Sequence, residues 1–265
     1  MNQVISQAFN YLRYIIRSKT KYSVHSPFVY DFITKVMEDK INYVQYDLIE
    51  EQRLKLLHNK NKIEIVDFGT SAGRTRYSTY IERVKNIAKR TGISPKQGQL
   101  LHRIVRYFKP DIMLEMGSSL GISSMYQVSA SPESMFITLE GCAAIASYAE
   151  QNISHFSENQ TYNVIIGNFD KMLPTVLGKL DIVNYAFIDG NHAYQPTLKY
   201  FSLLLPKLNE HSILIFHDIH WSSEMENAWN EIKKNDSVTI TIDLFSMGLV
   251  FFNKGLPKQD FVLRF

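Results

Sequence analysis

Gly117 and Gly121 stand four residues apart at the end of the apolar run Ile112–Met116, and the pattern predicts a helix opening over Ser118 to Ile122. Glycines placed this way let the backbone come close to a bound ligand. The next apolar run, Met135–Leu139, ends in Glu140. A carboxylate there can accept hydrogen bonds from both hydroxyls of a ribose, and charged acceptors make the stronger bonds. Gly-x-x-x-Gly alone specifies little. A strand, a glycine turn, a helix and a second strand ending in an acid together describe a nucleotide-type site.

More polar residues collect where apolar runs end. Glu115 lies in the first strand, Asn168, Phe169 and Asp170 follow Asn163–Ile166, and Asp189 and His192 follow Asp181–Ile188. His217 and Asp218 follow Ser212–Phe216. Helices are predicted between these runs at Ala143–Asn152, Thr197–Leu208 and Met225–Lys233. Strands alternating with helices imply a doubly wound, mostly parallel sheet, and ligands in such sheets bind at the carboxyl ends of the strands. Val238–Leu244 and Leu249–Asn253 have no helix between them. They predict a pair around Ser246–Gly248 and an antiparallel edge, making seven strands.

Upstream, Ser94 suits an N-cap and Pro95 the first helical position, with Leu100, Leu101, Ile104, Val105 and Phe108 as the buried stripe. Residues 3–16 carry Val4, Ile5, Ala8, Phe9, Leu12, Ile15 and Ile16 at helical spacing, a wide apolar face expected to pack on the core or on a partner subunit rather than on a membrane. His25, before Ser26-Pro27, could line a pocket or anchor a helix-opening turn. A second glycine pattern, Gly69 to Gly73, is followed by a charged helix over Arg74–Arg90 and lacks a second strand ending in an acid. It reads as a hairpin or lid loop. Residues 1–90 are expected to form a helical extension and residues 91–265 the ligand-binding domain.

The chain has 265 residues, 45% hydrophobic and 21% charged, enough for one sizeable core. No apolar run approaches the ~18 residues of a membrane span. The N-terminus lacks a signal-peptide pattern, and the single cysteine, Cys142, excludes an internal disulfide. A cytoplasmic location is expected. Net charge is +3. Residues 1–110 hold 20 Lys+Arg against 9 Asp+Glu, giving +11, and residues 111–265 hold 9 against 17, giving −8. Such asymmetry describes either solvated helix faces or a basic face for an anionic partner.

On these residues the chain resembles the class I S-adenosylmethionine-dependent methyltransferases. It is most similar to the small O-methyltransferases of the catechol and caffeoyl-CoA type, and to an uncharacterised Bacteroidetes group of methyltransferases. The resemblance spans roughly Ile93 to Asn253. It implies a Rossmann-like methyltransferase fold and S-adenosylmethionine as cofactor. Glu115, Gly117, Ser118, Ser119, Gly121 and Ser123 match the methionine-binding loop, Glu140 and Gly141 the ribose site, and Asn168, Phe169 and Asp170 with Ile93 the adenine site. Asp189, in Ile188–Tyr194, and Asp218, in Phe216–Ile219, match two further motifs. In the metal-dependent members those two aspartates bind a divalent cation, so Asp189 and Asp218 imply an optional Mg²⁺ site. Ile219 stands where those members have a ligating Asn, which weakens the implied site. His192 stands where the family has a general-base lysine, and a neutral imidazole can take a proton near pH 7. The acceptor implied is a small hydroxylated molecule, with a homodimer left open and no membrane partner expected. An RNA-modifying methyltransferase, a dinucleotide oxidoreductase and a catalytically silent cofactor-binding domain are the alternatives. The oxidoreductase would want a tighter Gly-x-Gly-x-x-Gly.

Overall fold

The computed structural model describes residues 3–67, 78–157 and 160–265. The chain runs α1 (Gln3–Arg17), α2 (Pro27–Phe32), α3 (Val44–His58), β1 (Lys62–Asp67), β2 (Ser78–Arg83), α4 (Val84–Thr91) and α5 (Pro95–Phe108). Then follow β3 (Ile112–Met116), α6 (Ile122–Val128), β4 (Met135–Glu140), α7 (Ala143–Ser154), β5 (Tyr162–Ile166) and α8 (Phe169–Leu177). The remainder is β6 (Tyr185–Ile188), α9 (Tyr194–Leu204), β7 (Ile213–His217), α10 (Ser223–Lys234), β8 (Ile240–Asp243), β9 (Met247–Phe251) and β10 (Gln259–Val262). These elements fall into two compact units. One holds residues 35–67 and 78–176, and the other holds the described residues up to 34 together with residues 177–265.

In the first unit β3, β4 and β5 pair in parallel, with Ile112 beside Met135 and Phe136 beside Tyr162. Met113, Leu114, Met116, Phe136 and Leu139 are buried, as near-continuous apolar runs of a parallel sheet require. Helix α5 starts where its caps predict. The Ser94 hydroxyl accepts from Gln97 N, the Gln97 side chain accepts from Ser94 N at 2.8 Å, and Pro95 opens the first turn. β1 and β2 form a separate antiparallel pair, Asp67 opposite Ser78. The charged helix expected over Arg74–Arg90 is corrected here. Ser78–Arg83 is a strand, helix begins only at Val84, and residues 74–77 lie outside the described residues, as does the Gly69–Gly73 pattern. Isoleucine and tyrosine in Ser78–Arg83 favour extended backbone, which charge counting overlooked.

In the second unit β6 and β7 are parallel, β9 runs against both β7 and β8, and β10 lies parallel to β8. The pair around Ser246–Gly248 is where it was expected, with Asp243 opposite Gly248. The antiparallel strand, however, is not an edge strand. It is flanked by β7 and β8, and β10, which the sequence reading did not foresee, lies outside β8. β6 is also shorter than the run that suggested it, because residues 181–184 are not extended-paired. The architecture is the doubly wound, mostly parallel α/β arrangement, with helices preceding it in the chain. Among the described residues no helix is long and apolar enough to cross a membrane.

Candidate functional site

The first unit turns β3 into α6 through Gly117, Ser118, Ser119, Leu120 and Gly121. Gly117 has φ 95°, Ser119 φ 47° and Gly121 φ 82°, a left-handed series that glycine adopts at little cost. A Cβ on Gly121 would lie 3.0 Å from the Ala149 backbone, so this glycine also lets α6 begin close against α7. Helix starts at Ile122 rather than Ser118, and the four intervening residues form the turn.

Glu115 is fully buried beneath this loop. Its carboxylate accepts from Ser123 Oγ at 2.7 Å, Gln127 Nε2 at 2.7 Å, Thr138 Oγ1 at 2.8 Å and Ser124 Oγ. Burial raises its pKa and these four donors work against the rise. Glu115 and Ser123, both expected at the ligand, make their hydrogen bonds inside the protein. They bond to each other and tie β3, β4 and α6 together under the loop.

Glu140 does lie at the loop. Its two oxygens accept from Ser119 N and Cys142 N, each at 3.0 Å. A carboxylate offers about four lone-pair directions, so two such bonds leave acceptor capacity for vicinal hydroxyls. Burial raises the Glu140 pKa, opposed by the N–H groups of Cys142, Ser119 and Gly141. Ser118 Oγ is buried without a hydrogen-bond partner, an orphaned polar atom in a loop shaped for a ligand.

Three supports come from outside the matched motifs. Asn152 Nδ2 donates to the Leu120 carbonyl at 2.7 Å while Gln52 Nε2 donates to Asn152 Oδ1 at 2.7 Å. Thr91 Oγ1 lies 2.6 Å from Ser119 Oγ, and Arg53 Nη2 donates to the carbonyl of the buried Ile93. Further along, Asn168 Oδ1 accepts from Asp170 N at 2.8 Å and opens α8, leaving Phe169 half-buried and Asp170 exposed. The sequence reading missed α8 because Pro174 stands inside it.

In the second unit Asp189, His192, His217 and Asp218 come together at the ends of β6 and β7. His217 Nδ1 lies 3.0 Å from Asp189 Oδ1 and 3.6 Å from Asp218 Oδ1, and His192 Nε2 lies 3.4 Å from Asp189 Oδ1. Asn191 and Asp218 hold positive φ, 54° and 57°, and Asp218 N donates to the Ser246 carbonyl at 2.6 Å. Burial alone would raise the Asp189 carboxyl, but His217 and His192 hold it well below the usual range. Burial alone would lower His217, but Asp189 and Asp218 push it up to about 9. The two carboxylates thus favour the protonated form of His217. No role for His217 followed from the sequence, although a histidine ending an otherwise apolar strand was the available signal.

The geometry bears on the implied divalent cation. The His217 ring lies against both carboxylates, Ile219 is buried and has no donor atom, and no group of three or more His, Cys, Asp or Glu is set to hold a metal among the described residues. The residues present do not fit a carboxylate-held Mg²⁺.

A groove of about 1140 Å³ opens at His192 between α9 and α10, lined also by Tyr194, Trp221, Glu224, Asn227 and Lys234. Trp221 is 49% exposed there. His25, the other histidine singled out, is exposed beside Lys19, Ser23 and Asp260.

Residues 114–219 match the family model described as a methyltransferase domain. No curated protein matches the chain. Among solved structures, an S-adenosylhomocysteine-bound methyltransferase from Podospora anserina is 12% identical, covering 86% of this chain and 97% of its own, with a TM-score of 0.59. An O-methyltransferase from Bacillus cereus in complex with S-adenosylhomocysteine is 16% identical over 84% and 97%, TM-score 0.56. The tomaymycin-synthesis O-methyltransferase of Streptomyces achromogenes, in complex with S-adenosylmethionine, is 18% identical over 61% and 82%, TM-score 0.50. The fold is that of the class I S-adenosylmethionine-dependent methyltransferases, and the matched segment runs from the first glycine-loop strand to Ile219.

Proposed function

We infer that this methyltransferase-domain protein binds S-adenosylmethionine and transfers its methyl group to an oxygen of a small hydroxylated acceptor. The observation that carries the reading is Glu140, bonded through both oxygens to the loop backbone at Ser119 and Cys142, beside an unpartnered Ser118 hydroxyl. That cradle suits a ribose with a charged amino-acid tail. Ser118 and the loop N–H groups would take the tail, Glu140 the ribose hydroxyls, and Asn168, Phe169 and Asp170 with Ile93 the adenine. The cofactor supplies an electrophilic methyl on a sulfonium.

The chain's own part is to orient the acceptor and remove its proton. Alignment is worth roughly 7–11 kcal/mol. His192, at the rim of the groove, is the base. With Nε2 turned to Asp189, Nδ1 is the nitrogen that receives the proton. Asp189 orients the ring, and His217, itself beside Asp218, holds Asp189. Trp221 offers a flat apolar wall for a ring-shaped acceptor. The domain is assigned to residues 91–265, with residues 1–90 as extension. The single buried cysteine supports a cytoplasmic location.

Methyl-transfer assays over catechols, other phenols and acyl-CoA thioesters test this reading. With an acceptor in hand, His192→Ala should lower turnover about 10²-fold at unchanged S-adenosylhomocysteine affinity, and a chelator should cost less. Activity that survives His192→Ala and vanishes with chelator would overturn His192 as base.

A further inference from the structure

Helix α1 leaves an apolar face outside. Phe9, Leu12 and Ile16 are 65%, 61% and 83% exposed. With about 100° between successive residues, these three share an arc of roughly 60°, and Arg13 and Arg17 follow on its flank. The opposite side is fixed. Tyr14 is buried and its hydroxyl donates to the Leu263 carbonyl, while the Tyr11 and Tyr14 rings pack on Phe245 at 5.0 and 5.4 Å. Lys19 N donates to the Val262 carbonyl at 2.8 Å just beyond the helix. The exposed arc is therefore held outward by contacts within its own unit, so this part of the stripe does not pack on the core of the chain.

Charge says what this face suits. Residues 1–30 contain Arg13, Arg17, Lys19 and Lys21 and no Asp or Glu. A second copy docking about a two-fold axis through this arc would bring Arg13 and Arg17 of both copies together. A nucleic acid would meet the charge but give Phe9, Leu12 and Ile16 no apolar phase to enter. An anionic lipid surface meets both demands: aliphatic and aromatic side chains sink to the level of the acyl chains while Arg and Lys stay among the headgroups.

We propose that α1 is an interfacial helix that seats the protein on anionic membrane surfaces through Phe9, Leu12 and Ile16, with Arg13, Arg17 and Lys19 facing the headgroups. The helix lies in the interface and spans nothing. Such seating would hold the enzyme where membrane-dissolved acceptors are concentrated.

Co-sedimentation of the full chain tests it, with vesicles of phosphatidylcholine alone and of equal parts phosphatidylcholine and phosphatidylglycerol. The expected result is pelleting with the mixed vesicles only, reversed by added salt. Leu12→Ser should weaken partitioning about tenfold or more, and Arg13→Gln or Arg17→Gln roughly fivefold each. Because these side chains are exposed, all three variants should keep the wild-type melting temperature and S-adenosylhomocysteine affinity. Failure to pellet with mixed vesicles overturns the proposal. So does vesicle binding that Leu12→Ser leaves unchanged, or a dimer in light scattering that Leu12→Ser dissolves without any vesicle binding.

Discussion

Glu115 and Asp189 are both buried carboxylates at the carboxyl ends of parallel strands, yet the first meets only neutral donors and the second meets two imidazoles. Neutral donors hold a charge in place without offering a proton near pH 7. The Glu115 region is thus a scaffold, shaping a loop whose working parts are backbone N–H groups and one further carboxylate. The Asp189 region instead pairs a carboxylate with two imidazoles, the groups our reading assigns to proton transfer. Ligand binding should follow the first region and be indifferent to neutral pH. Turnover should follow the second and respond to it.

The largest test of that contrast is Glu115→Ala. It strands the donors of Ser123, Ser124, Gln127 and Thr138 in a dry interior, where each orphan costs about 1–3 kcal/mol. Chemical denaturation should show a loss of about 4 kcal/mol or more. A loss below about 1 kcal/mol would mean that the network is not what secures the loop.

His217→Ala comes next, leaving Asp189 buried without its main cation, at a cost of about 3 kcal/mol near neutral pH. The pH profile carries the sign. The His217 pKa is raised from 6.5 to about 9, so its contribution is complete below pH 6.5 and is lost as pH rises towards about 9. The Asp189 pKa is lowered from 3.8, so its contribution holds above that value and is lost on acidification below it. Wild-type stability should therefore fall between pH 6.5 and about 9, and His217→Ala should flatten that fall. Parallel profiles for the two proteins would show that the pair is not ionic.

Glu140→Ala should weaken S-adenosylhomocysteine binding by roughly 1.5–3 kcal/mol, the worth of hydrogen bonds to a charged group, as read by calorimetry. Ser118→Ala should have the smallest effect. It removes no bond within the protein, so the melting temperature should hold while affinity drops by about 1 kcal/mol. An affinity loss matched by an equal stability loss would give Ser118 a purely structural role.

The cradle was legible in sequence because its parts are local. Gly117, Gly121 and Glu140 are set by a strand, a turn and the next strand, and each sits where that order puts it. Parallel strands with continuous apolar runs were equally readable. What the sequence concealed depends on distant partners. Asn152 carries the tie from Gln52 to the Leu120 carbonyl across three separate stretches of chain, and no periodicity announces it. His217 gains its role only when β6 and β7 bring Asp189 and Asp218 to its ring. Glu115 looked like a ligand residue because spacing does not tell whether a carboxylate faces a crevice or four internal donors. β10 escaped notice because Gln259–Val262 is short and half exposed, without the apolar run that marked the other strands.

Everything proposed for turnover rests on the Gly117–Gly121 loop and Glu140 holding an adenosyl amino acid. Thermal unfolding of the full chain with S-adenosylhomocysteine, and separately with NAD, measures this most directly, since a ligand that binds the folded state alone stabilises it by about 2.7 kcal/mol at a hundred times its dissociation constant. A clear rise in melting temperature is expected with S-adenosylhomocysteine, reduced in Glu140→Ala, and none with NAD. A rise with NAD alone would contradict an adenosyl amino acid in this cradle.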